Sequence, residues 1–142
     1  MNGFGGKVEA GETVVAGARR ELLEEAGLTA TALEHTGVLN FVFDDKPQPW
    51  KVFVFRCESF EGTPAPSDEM EPVWVAADAV PFDRMWADDV YWYPLFLGRR
   101  PFVGTFWFEN THDMVKRELA EVPSGTLELP SEPHFPTHVP DS

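Results

Sequence analysis

The chain has 142 residues, of which 24 are acidic and 11 are Lys or Arg, so its formal net charge at pH 7 is −13. This length indicates one domain with a buried core. The charge argues against broad binding of nucleic acid through phosphate contacts, which needs a basic surface. A small phosphorylated ligand is compatible with it, because a bound divalent cation supplies positive charge locally.

Cysteine content and hydropathy indicate where the protein works. The single cysteine, Cys57, cannot form a disulfide within the chain, which fits a reducing compartment and a core position in an aromatic strand. No apolar run approaches membrane-spanning length, and the first residues lack a signal-peptide pattern. We therefore expect a cytoplasmic protein, with the nucleus and the mitochondrion as further compartments, and no membrane partner.

The first predicted element is a helix from about Glu12 to Ala26. Gly11 precedes it in a turn, and Gly27 stands where a left-handed residue ends a helix. Apolar residues recur every four positions, which predicts one buried stripe. The stripe consists of Val14, Ala18 and Leu22.

A second face of this helix carries Glu21, Glu24 and Glu25, because residues three and four apart lie side by side. Like charges at this spacing destabilise a bare helix by about 0.2–0.5 kcal/mol per pair. Mg²⁺ relieves such repulsion, since it binds carboxylates together with substrate phosphates and water. Arg20 is placed to hold one carboxylate by a forked hydrogen bond. On these residues alone, an ordinary solvated acidic face explains the pattern equally well.

The complete string from Gly6 to Leu28 resembles the Nudix box. That motif is a glycine, five residues, a glutamate, seven residues, Arg-Glu, an aliphatic residue, any residue, Glu-Glu, any residue, a glycine and an aliphatic residue. Every fixed position is occupied here, by Gly6, Glu12, Arg20, Glu21, Leu22, Glu24, Glu25, Gly27 and Leu28. The resemblance implies an α+β Nudix fold, a mixed β-sheet packed between helices, and a hydrolase that uses Mg²⁺ or Mn²⁺.

The glycine-rich segment Asn2–Val8 precedes the box, and backbone this bare can approach a ligand closely. It is similar to the segment that leads into the box of the mammalian-type oxidised purine nucleoside triphosphatases, which hydrolyse 8-oxo-dGTP. Those proteins begin with additional strands, so we expect residues 1–122 to be an amino-terminally shortened Nudix domain. The resemblance implies substrate contacts from Asn2, Gly5, Gly6 and Lys7.

The rest of the chain predicts strands rich in aromatic and β-branched residues, joined by proline-containing loops. We expect strands over Val38–Phe43, Val52–Cys57, Pro72–Val75 and Phe102–Phe108, with a hairpin loop over Asp44–Pro49. A short helix is expected from Asp88-Asp89 to about Leu97. Asp113–Val122 has helical composition, but its register against the family implies a last strand.

Two further motifs match the same family. Ser67-Asp68-Glu69-Met70 matches its Ser-Asp-Glu-Met, which implies a metal-site role for Glu69, although a solvated turn explains these residues without it. The family motif Met-Trp-x-Asp-Asp falls at residues 85–89, with Ala87 in place of the usual proline. It implies that Trp86 stacks on a purine base while Asp88 and Asp89 form hydrogen bonds to the edge of that base. The alternative without a ligand is that the two aspartates cap the following helix.

The implied roles are as follows. Catalysis is assigned to Arg20, Glu21, Glu24, Glu25 and Glu69, and metal binding to Gly6, Glu21, Glu24, Glu25 and Glu69. Substrate binding is assigned to Asn2, Gly5, Gly6, Lys7, Phe41, Trp86, Asp88 and Asp89. For Phe41, which matches a pocket aromatic, a plain core role is an equal alternative.

Residues 123–142 combine recurrent prolines with no basic residue and no periodicity, which predicts a disordered tail. His134 and His138 in this tail do not suggest a metal site. His35 and His112 are expected to lack partners and receive no role.

The predicted reaction is Mg²⁺-dependent hydrolysis of oxidised purine nucleoside triphosphates, such as 8-oxo-dGTP or 2-hydroxy-dATP, to the monophosphate and pyrophosphate. It would cleanse the nucleotide pool and prevent DNA damage. Glu25 is the first candidate for the general base and Glu69 the second. The predicted partner is a small nucleoside triphosphate, with no direct nucleic-acid contact and a monomeric chain. The alternatives are a Nudix hydrolase of another nucleoside diphosphate-linked substrate, or a truncated, non-catalytic purine-nucleotide binder.

Overall fold

A computed structural model describes residues 2–68 and 70–134 of the chain. Glu69 and residues 135–142, including His138, lie outside the described part. Two α-helices, four strands and one short 3₁₀ helix are assigned within it. In chain order they are α1 (Val14–Ala26), β1 (Thr29–Phe43), β2 (Trp50–Glu61), the 3₁₀ turn Phe82–Arg84, α2 (Asp89–Leu97), β3 (Phe102–Glu109) and β4 (Asp113–Glu121).

Helix α1 confirms the first predicted element, because its two ends carry the expected signals. The hydroxyl of Thr13 accepts a hydrogen bond of 3.1 Å from the amide of Ala16 and so caps the amino end. At the other end, Gly27 has a left-handed φ of 71°, and its amide donates to the carbonyl of Leu23. The predicted apolar stripe is buried at Val14 and half-buried further along the helix.

The four strands form one mixed sheet in the order β2-β1-β3-β4. Strands β1 and β3 are parallel, with Gly37 opposite Phe102, and β3 and β4 are antiparallel. The predicted strands over 38–43, 52–57, 102–108 and 113–122 are therefore confirmed, and the loop over 44–49 separates β1 from β2. Strand β1 is nine residues longer at its start than predicted, because it begins at Thr29.

The described residues divide into two compact units. The sheet unit contains residues 2–3, 34–57 and 73–128, and the α1 unit contains residues 4–33, 58–68, 70–72 and 129–134. Strands β1 and β2 each have residues in both units. Among the predicted site residues, Gly5, Gly6, Lys7, Arg20, Glu21, Glu24 and Glu25 lie in the α1 unit, and Asn2, Phe41, Trp86, Asp88 and Asp89 lie in the sheet unit.

The core of the sheet unit is largely aromatic. Alternation along β3 buries Phe102, Phe106 and Phe108, each 1% exposed or less, while intervening residues point the other way. Helix α2 contributes Trp92, whose ring stacks on that of Phe102 at 5.5 Å between centroids. The packing of Trp92 on Phe102 holds α2 against the sheet, with Asp88 and Asp89 at the start of that helix.

The prediction of a strand over Pro72–Val75 is wrong, since these described residues have irregular backbone. Their side chains are largely solvent-exposed, with Trp74 at 79%. High β-propensity reflects packing on a pleated surface, and these residues have no such surface to pack on. Cys57, predicted to be a core residue, is half-buried.

Across residues 2–68 and 70–134, no helix combines the length and apolar character that crossing a membrane requires. Residues 123–134 have irregular backbone. The predicted disorder of the whole segment 123–142 stays a prediction.

Candidate active site

In the α1 unit, Arg20 lies at the centre of a cluster of carboxylates. Its Nε and Nη2 atoms donate to Glu12, with the shortest contact 2.9 Å. Its Nη1 donates to Oε1 of Glu21 at 2.8 Å and to Oε2 of Glu24 at 3.0 Å. Nη2 also donates to the carbonyl of Lys7 at 3.0 Å, which ties the glycine-rich segment to the helix. Arg20 does make a forked bond, but to Glu12 and not, as predicted, to a carboxylate of the face formed by Glu21, Glu24 and Glu25.

Hydrogen bonding between Arg20 and its partners shifts the pKa of Glu12 and of Arg20 itself. Hydrogen bonds from Arg20 hold the pKa of Glu12 below its ordinary value, and the bond from the Glu9 amide acts in the same direction. In return, hydrogen bonds to Glu12 and then to Glu21 raise the pKa of Arg20 further. One guanidinium therefore fixes three carboxylates in defined positions at neutral pH.

Two glycines bring backbone against the helix glutamates. A Cβ on Gly6 would stand 2.5 Å from Oε1 of Glu21, so a side chain at position 6 would displace the Glu21 carboxylate. The amide of Gly5 donates to the carboxylate of Glu25, at 3.0 Å to Oε2. Glu25 is buried, with 4% of its surface exposed. A carboxylate that is shielded from bulk water and held by an amide is a suitable proton acceptor for chemistry at this position.

The donor set of α1 fits a hard divalent cation. Mg²⁺ is usually held by one or two carboxylates, with substrate phosphates and water filling the octahedron. Glu21 and Glu24 both contact the same Arg20 nitrogen, and each keeps a second oxygen outside these bonds. Within residues 2–68 and 70–134, no three His, Cys, Asp or Glu side chains form a group able to hold a metal ion. Glu21 and Glu24 are therefore two carboxylates that could join substrate phosphates and water around a cation.

In the sheet unit, Asp88 and Asp89 form a buried carboxylate pair at the start of α2, 2% and 5% exposed. The indole Nε1 of Trp92 donates to Oδ2 of Asp88 at 2.8 Å. Asp88 makes no side-chain cap bond to α2. Oδ1 of Asp88 and Oδ2 of Asp89 are buried without a hydrogen-bond partner among the described residues. Buried polar atoms are nearly always bonded, so these two oxygens are candidates to bond a ligand.

Burial changes the acidity of this pair. It raises the pKa of Asp88 above its ordinary value, against the opposing effect of the Trp92 bond. Burial, and next the charge of Asp88, raise the pKa of Asp89 to about 7. Burial and the two aspartates raise the pKa of Tyr93 to about 12. At neutral pH the pair therefore shares its charge with a bound proton, and a protonated carboxyl can both donate and accept hydrogen bonds.

Aromatic rings lie close to the pair. The carbonyl of Trp86 accepts from the amide of Asp89 at 3.1 Å, and its ring meets Phe108 edge-on at 5.9 Å. Phe41 packs on the same core, with its ring 5.9 Å from that of Phe106, so its core role is observed. The ring of His112 lies 4.9 Å from that of Trp86.

The expectation that His35 and His112 lack partners is wrong for both. His112 contacts Trp86, and the ring of His35 lies 5.2 Å from that of Phe55. The His35 ring also bonds the carbonyl of Gly37, and burial lowers its pKa. Both contacts join positions distant in sequence, so local pattern could not reveal them.

The predicted site residues fall into two groups. Those brought together in the α1 unit are Gly5, Gly6, Lys7, Arg20, Glu21, Glu24 and Glu25. In the sheet unit, Asp88, Asp89 and Trp86 are adjacent, and Phe41 lies on the shared core. Asn2 is exposed, and its side-chain oxygen accepts from the amide of Gly3. Glu69 is outside the described residues.

Three partners were missed by sequence reasoning: Glu12, Trp92 and Tyr93. Glu12 occupies a fixed position of the motif, which was the available signal for a structural role. Trp92 stands four residues after Asp88, the spacing at which side chains meet on a helix. Tyr93 carried the same signal, since it stands four residues after Asp89, and its link to the pair is electrostatic.

The chain is similar to known proteins in sequence and in fold. The family model described as NUDIX domain matches residues 2–96. The chain is 48% identical over 121 residues to the oxidized purine nucleoside triphosphate hydrolase of Danio rerio, covering 85% of this chain and 78% of that protein. It is 44% identical over 123 residues to the protein of the same name from Mus musculus, covering 87% and 79%. Its fold is similar to the crystal structure of a mutator MutT protein from Bacillus halodurans, with a TM-score of 0.76 at 30% identity, covering 84% and 82%.

Proposed function

The chain belongs to the Nudix hydrolase family, and on that premise we propose that it hydrolyses oxidised purine nucleoside triphosphates to the monophosphate and pyrophosphate. The names of the two animal relatives support this substrate class. Nudix hydrolases generally use divalent metal ions, and we propose Mg²⁺ for this chain, with Mn²⁺ as a substitute. The physiological role would be removal of damaged nucleotides from the pool.

The observation that carries the proposal is the Arg20 network. Arg20 holds Glu12, Glu21 and Glu24 at hydrogen-bond distance, beside a buried Glu25 bonded to the Gly5 amide. A protein that only bound a nucleotide would have no need of a buried, oriented carboxylate beside a cluster of acidic groups. The arrangement instead provides a cation site and a proton acceptor on one helix.

In the proposed reaction, a water oxygen attacks one phosphorus of the link between the α and β phosphates. The bridging P–O bond breaks, its oxygen leaves on the other phosphorus, and Glu25 accepts the proton of the water. Glu21 and Glu24, with the carbonyl of Gly6, would hold the metal ion, which when bound polarises phosphoryl oxygens and lowers the pKa of coordinated water. Arg20 keeps the metal-binding glutamates oriented. Glu69 is the second candidate for the base.

We assign recognition of the base to the sheet unit. With one proton shared between them, the carboxyl groups of Asp88 and Asp89 present a donor and acceptors, which suits the edge of a purine. Trp86 would stack on the base and Asn2 would contact it. Oxidation of a purine changes one donor or acceptor on its edge, and a site built on hydrogen bonds discriminates strongly against the wrong pattern.

We also propose a monomeric, cytoplasmic protein that acts on the free nucleotide, with the nucleus and the mitochondrion as further locations. The acidic composition supports action on the free nucleotide, because a charge of −13 disfavours contact with nucleic acid.

The test of the proposed reaction is pyrophosphate release from 8-oxo-dGTP by the purified chain, with and without Mg²⁺. Removal of Mg²⁺ by a chelator should stop turnover, and its return should restore it. Glu25→Gln should keep nucleotide binding but lose about 10²- to 10⁴-fold in rate, the usual contribution of a general base. Glu34→Gln, a change of the same kind at an exposed position of β1, should keep full activity. An undiminished rate in Glu25→Gln would reject this residue as the base.

A further inference from the structure

The last described residue of the chain bonds directly to the loop that precedes α1. The amide of Gly11 donates to the carbonyl of His134 at 2.7 Å, and the amide of His134 donates to the carbonyl of Glu12 at 2.7 Å. The two bonds set one residue against two consecutive residues, the first of them a left-handed glycine, which is the hydrogen-bond pattern of a β-bulge. The contact links residue 134 to positions 11 and 12, more than 120 residues away in sequence. All three residues belong to the α1 unit.

The loop that receives this contact needs support. Gly11 has a φ of +85°, a conformation that side chains strongly disfavour, and it is exposed. Glu12 follows directly, and Thr13 then caps α1. A short segment with a left-handed glycine is held in place mainly by the hydrogen bonds it makes, because glycine has the most conformational freedom to lose.

Glu12 is the residue through which this loop reaches the carboxylate cluster. Its Oε1 accepts from the amide of Glu9 at 2.8 Å and from Nη2 of Arg20 at 2.9 Å. Its carboxylate also lies against Gly17, where a Cβ would stand 2.9 Å from Oε1. The position of the Glu12 carboxylate is therefore narrowly defined, and Arg20 depends on it for two of its hydrogen-bonding nitrogens.

We propose that the main chain of His134 is a strap that positions Glu12 and, through Arg20, the glutamates that would bind the metal. This gives the proline-rich tail a function in organising the site, carried by its backbone and not by its imidazole. His134 is thus a positioning residue, one step removed from any reacting group. The inference rests on the proposed function for the meaning of the cluster, but the strap itself can be tested without activity.

The test compares His134→Pro with His134→Ala in the full-length chain. Proline lacks the amide that donates to Glu12, whereas alanine keeps it and removes only the imidazole. We expect hydrogen exchange of the Glu9 amide, which reports the Glu12 carboxylate, to become about fivefold faster in His134→Pro, the equivalent of one hydrogen bond. His134→Ala should match the wild type. Equal exchange in all three chains, or equal loss in both variants, would overturn the strap.

A second readout connects the strap to the metal. Mn²⁺ binding to the chain, followed by electron paramagnetic resonance, should weaken about fivefold in His134→Pro and stay unchanged in His134→Ala. The Mg²⁺ concentration for half-maximal hydrolysis should rise by the same factor, with little change in the rate at saturating Mg²⁺. Equal Mn²⁺ affinity in the two variants would overturn the link to the cluster.

If His134→Pro does not fold, amide hydrogen exchange in the wild-type chain tests the strap. The amides of Gly11 and His134 should exchange more slowly than those of an unstructured peptide, and exchange at the free-peptide rate would overturn the proposal. A chain without hydrolytic activity in which these amides are protected would reject the proposed function and keep the strap. An active chain in which these amides are unprotected would support the proposed function and reject the strap.

Discussion

Asp88 and Asp89 are consecutive carboxyl groups, both buried, and each retains one oxygen without a hydrogen-bond partner among the described residues. Burying two adjacent acids is costly unless one of them takes up a proton or a ligand supplies partners. The pair therefore stores an unfavourable free energy in the ligand-free protein. Binding of a molecule with a complementary edge would release it.

This cost predicts that Asp89→Asn stabilises the protein at neutral and alkaline pH. Because the folded pKa of about 7 exceeds the ordinary 3.8, the folded state binds a proton between these values that the unfolded state has lost. The stability of the wild type therefore falls as pH rises from about 4 to 7 and stays low above 7. Asparagine cannot ionise, so the gain should grow over this window to a few kcal/mol, an order-of-magnitude figure for such a shift.

Urea unfolding at pH 4.5, 6 and 8 measures this effect. Asp83→Asn, which removes an exposed carboxylate from the nearby 3₁₀ turn, is the matched control and should show almost no pH-dependent gain. A stability difference between Asp89→Asn and the wild type that does not vary with pH would contradict the explanation.

The adjacent residue offers a test of base recognition. Asp88→Asn keeps an oxygen that can accept from Trp92 but turns the partnerless Oδ1 into an amide donor. We expect the ratio of kcat/KM between 8-oxo-dGTP and dGTP to change by about tenfold or more, because one mismatched buried hydrogen bond costs about 1–3 kcal/mol. Steady-state kinetics with both nucleotides gives the ratio. A uniform fall for the two substrates would mean that Asp88 does not read the base.

Local sequence signals predicted some elements of the fold closely and missed others. Helix α1 was predicted closely because its cap, its glycine stop and its carboxylate spacing are all local signals. Residues 29–37 were not assigned to β1, although the structure places them there, since their mixed composition has no clear alternation. The opposite error was made at Pro72–Val75, where a strand was predicted that the structure does not contain. Propensity alone could not show that the side chains of Val73, Trp74 and Val75 are exposed.

In the candidate site, too, the sequence predicted which residues take part but not all of their contacts. Motif spacing identified Arg20 and the glutamates, but not that Glu12 accepts more of the guanidinium's hydrogen bonds than either Glu21 or Glu24. The contact of His112 with Trp86 and that of His134 with Gly11 join segments far apart in sequence. Such contacts depend on tertiary geometry, which local periodicity does not encode.

Gly37 provides a test of the core. It lies opposite Phe102 in the β1–β3 register, and a Cβ added to it would stand 2.2 Å from the Phe102 ring. Because Phe102 is fully buried, the ring cannot move aside without disturbing its neighbours. We expect Gly37→Ala to lower the free energy of unfolding by about 1–3 kcal/mol, the usual cost of overpacking. Gly3→Ala, where no atom lies within 4 Å of the added carbon, should have little effect, and equal stability of the two variants would contradict the packing.

Arg20→Lys tests the organising role of the guanidinium. A lysine keeps the charge but cannot make the forked bond to Glu12 while also bridging Glu21 and Glu24. Loss of one or two charge-assisted hydrogen bonds predicts a fall of about 10- to 100-fold in kcat/KM for hydrolysis. Arg19→Lys changes the preceding residue, whose guanidinium bonds the carbonyl of Ala30, and should cost far less. Similar kinetics for Arg20→Lys and the wild type would show that the fork is dispensable.

The measurement that tests the central claim most directly is the comparison of 8-oxo-dGTP with dGTP as substrates of the purified chain, in saturating Mg²⁺ and with products identified. The proposed function predicts release of monophosphate and pyrophosphate, a kcat/KM higher for the oxidised nucleotide, and loss of turnover in Glu25→Gln. Equal hydrolysis of both nucleotides, or no hydrolysis by a folded chain that binds Mg²⁺, would contradict it.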